Sequence, residues 1–312
     1  MVYQLAEINN RIRTDVIGFL EECDQIYQER AEVAACRIID NMHKSPIVFL
    51  SGPSGSGKTT TALKLAEELK RRGVNTHTVS LDNYFRTLNP KTAPRTEDGS
   101  IDYESPRVLD TELLDAHFTA LARGEEIVAP KFEFARQMRN DSRGRRLRLE
   151  RNEIVIFEGI HALNDDIAGR HPEATGLYIS ARSDVREGEA LRFKGTWMRL
   201  TRRAVRDYNF RGTDVSTTLD MWATVRRGEK LYISPFKQRA NIILDSSLRY
   251  EVSVMRNYAK PLLEAVPEEN QRRPELLELI DAFECFEPID PALVPKDSLL
   301  REFIGGGSYT YK

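Results

Sequence analysis

The sequence predicts an α/β fold in which helices flank a parallel sheet. Short, continuously apolar segments such as residues 47–50 and 154–157 are typical of strands that are buried on both faces. Longer stretches with apolar residues three and four positions apart indicate helices between them. A glycine-rich turn joins the first apolar segment to a helix-forming stretch. Strands that alternate with helices in this way form parallel sheets.

Length and composition indicate a globular protein with a sizeable core. The chain has 312 residues, of which 40% are hydrophobic and 30% charged, and its net charge is −2. A charge so close to neutral argues against a dedicated nucleic-acid binder. No apolar segment approaches membrane-spanning length and the first residues lack signal-peptide character, so we expect a cytoplasmic protein. Cys23, Cys36 and Cys285 form no C-x-x-C motif, which argues against a disulfide framework or a zinc site.

The glycine-rich turn carries the motif around which the chain is organised. Residues 52–59 read G-P-S-G-S-G-K-T and fit the phosphate-loop pattern G-x-x-x-x-G-K-[ST]. In such a loop successive N–H groups point at one anion, and the following helix adds its own free N–H groups and its dipole. We expect Lys58 to bridge the outer phosphates of ATP or GTP and the Thr59 hydroxyl to bind Mg²⁺. The predicted nucleotide-binding residues are Gly52, Ser54, Gly55, Ser56, Gly57, Lys58, Thr59 and Thr60. A plain turn between strand and helix is the alternative.

Two carboxylates follow predicted strands. Asp82 comes directly after the predicted strand 76–81, and Glu158 ends the predicted strand 153–159. In open α/β sheets ligands bind beyond the carboxyl ends of the strands, which places both acids beside the phosphate loop. Asp82 is expected to accept the proton of an attacking hydroxyl or to hold Mg²⁺ through water, and Glu158 to orient the metal's water shell. An Asp that simply starts a turn is the alternative for Asp82.

An arginine-rich helix is predicted over residues 199–213, where it ends in a glycine hinge. Arg199, Arg203 and Arg206 share one face at spacings of four and three, and Arg211 lies on the loop beyond. Mobile arginines that close over a transferring phosphoryl group would stabilise its charge and exclude water. A surface helix whose arginines pair with acids elsewhere is the alternative.

The remaining segments suggest three parts. Residues 1–44 form a predicted helical arm, which packs against the core or against a second copy of the chain. The nucleotide-binding core spans 45–250 with a lid around 196–228, and 251–312 is a helical extension broken at its prolines, the first of them Pro261. Residues 86–106 are expected to form a functional loop, and the basic stretch 140–144 a hairpin tip.

With these motifs in order, residues 45–250 resemble the uridine kinase and phosphoribulokinase family of P-loop kinases. Segment 80–85 is similar to the family segment whose Asp takes the acceptor proton, and residues 157–160 match its F-E-G-I. Segment 202–212 is similar to the family lid, and Glu104 stands where an acid binds the ribose hydroxyls. Residues 221–229 and 301–305 are similar to a bacterial uridine-kinase-like branch.

The resemblance implies an ATP- or GTP-dependent, Mg²⁺-requiring kinase that phosphorylates a primary hydroxyl. A nucleoside 5′-hydroxyl is favoured, and other small hydroxyl metabolites, such as a sugar phosphate or a pantothenate-like acid, stay open. A nucleotide-hydrolysing switch is the rival from another class. The implied catalytic residues are Lys58, Asp82, Arg203, Arg206 and Arg211, the metal-binding ones Thr59, Asp82 and Glu158, and the acceptor-binding ones Asp82, Tyr84, Glu104, Phe132, Gln137 and Arg206.

The chain departs from the family at the residues that would contact the base of a nucleoside. The family places a Tyr and, five residues later, a His against the pyrimidine, whereas this chain has Phe132 and Gln137. Thr213 stands where another lid arginine is usual, and Glu104 is longer than the usual Asp. Because Gln137 offers a different pattern of donors and acceptors, the departure puts the base in doubt while leaving the kinase chemistry intact.

Overall fold

Strands and helices alternate along most of the chain in the computed structural model, which describes residues 2–270 and 272–311. The strands are β1 (Val2–Gln4), β2 (Ile47–Ser51), β3 (Asn75–Ser80), β4 (Ile127–Glu133), β5 (Met138–Leu147), β6 (Glu153–Glu158), β7 (Thr175–Ser180), β8 (Asp184–Glu187), β9 (Ala190–Phe193) and β10 (Ile242–Asp245). The helices are α1 (Leu5–Asn41), α2 (Lys58–Arg71), α3 (Thr111–Ala122), α4 (Asp165–Ala168), α5 (Gly195–Arg211), α6 (Val215–Gly228), α7 (Glu251–Glu264), α8 (Arg273–Glu284) and α9 (Arg301–Ile304).

A five-stranded sheet with the order β10-β7-β2-β6-β3 forms the centre of the fold, and every neighbouring pair in it is parallel. The predicted α/β class is therefore confirmed. Glu158 on β6 lies opposite Leu50 on β2 and opposite Ser80 on β3. This register brings the carboxyl ends of three strands to the same edge of the sheet, where the phosphate loop also begins.

Side chains of the sheet alternate between two hydrophobic clusters. Ile154 and Ile156 on β6 pack in a cluster that also holds α1, α2, α5 and the C-terminal helices. Val155 and Phe157 point to a second cluster that includes α3. Each fully buried aliphatic or aromatic side chain of this kind stabilises the fold by about 1.5–3 kcal/mol. Both faces of the sheet are covered, which explains why β2 and β6 are continuously apolar.

The N-terminal arm packs on the core, one of the two alternatives that the sequence predicted. The buried Tyr27 hydroxyl lies 2.6 Å from the Thr61 hydroxyl on α2. The expectation of a helical arm over residues 1–44 is wrong at its start, because Val2–Gln4 pairs in parallel with β8 in a three-stranded sheet that β9 completes. The division into arm, core and extension stays a prediction; side chains of all three parts share one hydrophobic cluster.

Two further local expectations are wrong. Residues 140–144 are not a hairpin tip but lie within β5, and the turn between β4 and β5 is formed by Phe134–Arg136 and Gln137, whose φ is +51°. Pro261 does not break the C-terminal helix, since α7 continues to Glu264. Burial of Ala259 and Leu263 holds this last turn in place despite the one backbone hydrogen bond that a proline removes.

The predicted lid region contains helices α5 and α6, which are joined by a short link at Gly212. Helix α5 begins four residues earlier than predicted and ends at Arg211, so Arg211 is its last residue rather than part of the loop beyond. Among the described residues, no helix is long and apolar enough to cross a membrane.

Candidate active site

The phosphate loop is a cradle that only glycine permits at several positions. A Cβ atom at Gly52 would lie 2.2 Å from the carbonyl oxygen of Ile179. Gly55 and Gly57 have φ values of +73° and +84°, in the left-handed region that other residues avoid. The side chain of Ser56 is completely buried, and its Oγ has no hydrogen-bond partner within the described chain. Buried polar atoms are normally satisfied, so the orphaned hydroxyl suits a ligand held in this loop.

Lys58 and Thr59 open helix α2 directly after the loop. The Lys58 ammonium group donates to the Pro53 carbonyl at 3.3 Å, so the side chain folds back over the cradle. Burial lowers the pKa of Lys58, while the negative charges of Glu158 and Asp82 act in the opposite direction. Thr59 is exposed on the first turn. The cradle and these two side chains fit a Mg²⁺-bound triphosphate.

Asp82 and Glu158 form an acidic pair at the sheet edge. Burial raises the pKa of Asp82, and burial followed by the charge of Asp82 raises the pKa of Glu158. The positive charge of Lys58 lowers both values. Ser80 connects the pair, because its hydroxyl accepts the N–H of Asp82 at 3.3 Å and forms a hydrogen bond with Glu158. The structure therefore brings Lys58, Asp82 and Glu158 together as predicted from the strand ends.

No cluster of three or more His, Cys, Asp or Glu side chains that could hold a metal ion is found in residues 2–270 and 272–311. Mg²⁺ commonly takes one or two protein ligands together with water and substrate phosphates. Thr59, Asp82 and Glu158 offer that kind of partial site beside the cradle. Metal binding would thus depend on the nucleotide.

The lid arginines converge on one buried carboxylate. Arg203 Nη1 donates to Ser54 Oγ at 3.0 Å, which connects α5 directly to the phosphate loop. Arg203, Arg206 and Arg211 lie 3.3, 2.7 and 3.6 Å from the carboxylate oxygens of Asp207. The Asp207 side chain is only 4% exposed, so solvent does little to weaken its attraction to the arginines. Asp207 gathers these three arginines beside the loop.

Arg199 is paired with a different acid from the other lid arginines. Its Nη2 donates to both carboxylate oxygens of Glu229 at 3.0 and 2.9 Å, and its side chain is buried. The expectation that Arg199 moves with Arg203 and Arg206 is wrong, because a buried, charge-assisted pair of this kind fixes a guanidinium group. For Arg199 the alternative prediction holds, because its guanidinium group is paired with an acid elsewhere in the chain.

Arg202 braces the phosphate loop from behind. Its guanidinium group is fully buried and donates to both oxygens of Glu251 at 2.5 and 2.6 Å. It also donates to the Gly55 carbonyl at 3.2 Å and to the Ser246 carbonyl at 2.8 Å. A buried guanidinium group with this many partners holds the loop in one conformation.

Glu104 approaches the site from the long loop between β3 and α3. Burial raises its pKa to about 7, opposed first by the positive charge of Arg203. The charges of Asp82 and Lys58 also act on it, which places it near the reacting end of the site. A Cβ atom at Gly228 would lie 2.5 Å from Glu104 Cβ, so the glycine at the end of α6 makes room for it.

The other predicted acceptor residues do not form a ready pocket. The Tyr84 ring is completely buried in the second cluster and its hydroxyl bonds His117 Nδ1 at 2.9 Å, so an acceptor-binding role for Tyr84 stays a prediction. Phe132 is 5% exposed and packs edge-on against Phe85 and Phe134. The Gln137 side chain is exposed and donates back to the Phe134 carbonyl at 2.9 Å.

Three residues at this site do not follow from the sequence motifs: Arg202, Asp207 and Glu302. Asp207 had a signal, since it stands four residues from both Arg203 and Arg211 and helical neighbours at that spacing interact. Arg202 had no such signal in the sequence, because its partner Glu251 lies far along the chain. Glu302 lies in the segment 301–305, whose resemblance to a family branch assigns its carboxylate no role.

Comparison with known proteins decides the family. Residues 47–253 match the Phosphoribulokinase / Uridine kinase family. The chain belongs to this family. Its members are P-loop kinases, so the protein is a phosphotransferase with a nucleotide donor.

Two relatives named uridine kinase agree with this assignment. A uridine kinase of Halobacterium salinarum is 29% identical over 198 residues, covering 63% of this chain and 78% of the relative. A uridine kinase of Macrococcus caseolyticus is 27% identical over 204 residues, covering 65% and 89%. Among solved structures, D-glycerate 3-kinase from Cryptococcus neoformans var. grubii has 15% identity and a TM-score of 0.35, covering 88% and 87%.

Proposed function

We propose that this kinase transfers the γ-phosphoryl group of Mg²⁺-bound ATP or GTP to a primary hydroxyl, and that its acceptor is the 5′-hydroxyl of a nucleoside. The observation that carries the proposal is the meeting of four groups at one sheet edge. Glu158 ends β6, Asp82 follows the end of the neighbouring β3, Lys58 opens α2 beside them, and Arg203 reaches the loop from the lid. The relatives named uridine kinase support the nucleoside acceptor.

On the donor side, the N–H groups of the loop and the start of α2 bind the β- and γ-phosphates. Lys58 bridges the outer phosphates, and Thr59 with Glu158 would hold the metal. When bound there, Mg²⁺ would supply positive charge beside the transferred group. Arg203, Arg206 and Arg211 stabilise the same charge from the lid side, where Asp207 keeps them oriented.

On the acceptor side, Asp82 accepts the proton of the attacking hydroxyl. Lys58 and Arg211 favour the ionised form of Asp82 that a base requires, although burial works against it. Glu104 binds neighbouring hydroxyls of the acceptor, and a vicinal diol such as a ribose suits a carboxylate with two oxygens. Arg206, whose positive charge acts on Lys58, is expected to contact the bound acceptor as well.

A second acceptor class is supported by the β4–β5 hairpin. Phe132 is buried among aromatic rings, and the Gln137 amide is used within its own turn. Neither side chain is set to read a base edge in this structure. A small hydroxyl metabolite without a base, such as a sugar phosphate or a pantothenate-like acid, therefore stays the alternative acceptor.

An acceptor panel with γ-labelled ATP tests the proposal. The panel holds the four common nucleosides, ribulose 5-phosphate, glycerate and pantothenate, each with Mg²⁺ and with the Asp82→Asn variant as the control. We expect a labelled product from at least one nucleoside and far slower product formation in that variant. A product from ribulose 5-phosphate, glycerate or pantothenate alone would replace the nucleoside with the alternative class. Steady hydrolysis that no acceptor changes would favour a nucleotide-dependent switch.

A further inference from the structure

The C-terminal segment 297–311 reaches the phosphate loop. Glu302 Oε2 accepts the Thr60 N–H at 3.2 Å and the Thr60 hydroxyl at 2.6 Å. The Tyr311 hydroxyl lies 3.1 Å from the same Thr60 oxygen. A Cβ atom at Gly57 would lie 2.6 Å from the Leu299 side chain, so this segment also touches the last residue of the loop. The tail thus contacts the part of α2 that faces the donor site.

The local conformation explains why α2 needs an outside partner. Helices usually begin at a Ser, Thr, Asp or Asn whose side chain accepts an N–H of the first turn. Gly57 occupies this position with a φ of +84°, and it has no side chain with which to cap. Thr60 is the third residue of the helix, and its N–H is one that a cap would normally bind. Glu302 supplies that acceptor from 242 residues further along the chain.

We propose that Glu302 is a positioning residue of the phosphate loop: its carboxylate fixes Thr60 and the first turn of α2, and so aims the N–H groups of Gly57, Lys58 and Thr59 at the donor phosphates. This inference rests on the nucleotide-binding half of the proposed function. The motif predicts nucleotide binding for Thr60 as well, and in this structure its hydroxyl and N–H bond Glu302.

Glu302 is held too firmly to act as a plug that the nucleotide displaces. Its neighbours Leu300 and Phe303 are completely buried. Arg301 donates to four main-chain carbonyls, which belong to Pro291, Val294, Pro295 and Gly305. With both flanking residues anchored, the carboxylate has only its own side-chain torsions with which to move. Glu302 is therefore a fixed part of the site.

The tail residue next to Glu302 also contacts Arg202, the lid residue that bonds the phosphate loop. The Phe303 ring lies 5.2 Å from the Arg202 guanidinium carbon, in the range of a cation–π contact. Arg202 bonds the Gly55 carbonyl, while Glu302 bonds Thr60. Adjoining side chains of the lid and the tail thus contact the middle of the loop, at Gly55, and the helix turn that follows it, at Thr60. The negative charge of Glu302 also favours the protonated form of Lys58.

The test measures MgADP binding by calorimetry, without any acceptor, in the full chain. We compare Glu302→Ala, which removes the acceptor, with Glu302→Gln, which keeps an acceptor oxygen and loses the charge. Tyr311→Phe is the matched control, since it removes the other tail group at Thr60. Loss of one cap predicts about fivefold weaker binding for Glu302→Ala, a smaller loss for Glu302→Gln and less than about twofold change for Tyr311→Phe.

Melting temperatures recorded on the same samples separate positioning from stability. We expect Glu302→Gln to melt close to the parent and still to bind MgADP more weakly. Should Glu302→Ala fail to fold, Glu302→Gln decides the question alone. Parental affinity in the folded Glu302 variants would overturn the proposal, and so would tighter binding, because the carboxylate would then oppose the nucleotide.

Lys58→Ala distinguishes this failure from a failure of the proposed function. If the parent chain binds no MgADP, the nucleotide-binding function itself is wrong. A different result would be that the parent binds MgADP, that Lys58→Ala does not bind it, and that the Glu302 variants bind it like the parent. In that case only the positioning role of Glu302 is wrong.

Discussion

The donor and acceptor sides of the site are built in different ways. The donor side is one continuous loop, residues 52–59, fastened by Arg202 and contacted by Arg203 from the lid. The acceptor side is assembled from the end of β3, the long loop after it and the β4–β5 turn. Several of its side chains are committed to their own surroundings, as Gln137 and Tyr84 show.

This difference separates what the fold fixes from what it leaves adjustable. A phosphate cradle depends on backbone conformation and on residues next to one another, so one short motif specifies it. An acceptor pocket depends on side chains from distant segments, so a change in any segment alters specificity without disturbing the chemistry. We therefore expect donor binding and turnover to respond to different substitutions.

The largest effect is expected from Asp82→Asn. Loss of the base should lower kcat by about 10²–10⁴-fold, because an amide cannot accept the hydroxyl proton. The affinity for MgATP, measured by calorimetry, should change less than about twofold, since the cradle is untouched. Asp141→Asn is the control, an exposed carboxylate on β5. Parental turnover in Asp82→Asn would remove Asp82 from the mechanism.

A smaller effect on turnover is expected from Asp207→Asn. This change removes the shared negative charge from Arg203, Arg206 and Arg211, so the arginines lose their common orientation. Misplacing groups that contact the transferred phosphoryl should lower kcat by about 10- to 100-fold.

The change in Asp207→Asn should fall mainly on kcat rather than on the affinity for MgADP. Asp220→Asn on the exposed side of α6 serves as the matched control. Equal kcat in Asp207→Asn and Asp220→Asn would show that the arginines need no common anchor.

Glu104 should make acceptor binding depend on pH. Its pKa of about 7 means that the carboxylate is protonated in acid, where it can no longer accept two hydroxyl hydrogen bonds. Acceptor KM should therefore rise about tenfold as pH falls from about 8 to about 6, while donor KM stays level over the same range. The profile is measured with the acceptor that the panel identifies. Glu104→Gln should give a high KM that no longer varies with pH; a parental profile in this variant would assign the titration to another group.

The smallest effect is expected from Gln137→Ala. Because the Gln137 amide bonds the Phe134 carbonyl within its own turn, its removal should change acceptor KM by less than about twofold. The measurement is the same acceptor titration at neutral pH. A loss greater than about tenfold would mean that the turn rearranges on binding and that Gln137 contacts the acceptor.

Sequence alone predicts the donor side well because its information is local. The phosphate loop needs only its own glycines, and Asp82 and Glu158 are placed by the rule that parallel strands end at one edge. The same reasoning does not reveal the surroundings of Tyr84. It follows Asp82 by two positions, yet the short helical turn at Leu81–Tyr84 directs its ring into the core.

Features that depend on distant partners cannot be predicted from the sequence in the same way. The N-terminal strand is stable only beside β8, 182 residues away in register. The β4–β5 turn falls at Gln137 because that residue adopts a positive φ, whereas the glycine at 144 remains in the strand. A role for Glu302 can be assigned only when the structure shows its carboxylate bonded to Thr60.

A crystal structure with MgADP and the acceptor identified by the panel tests the central claim most directly. The account predicts the β-phosphate in the cradle formed by residues 55–59. It also predicts the acceptor hydroxyl within about 2.6–3.2 Å of an Asp82 carboxylate oxygen, the distance at which a general base takes a proton. An Asp82 carboxylate turned away from the cradle, with the hydroxyl against another group, would contradict the proposed kinase mechanism.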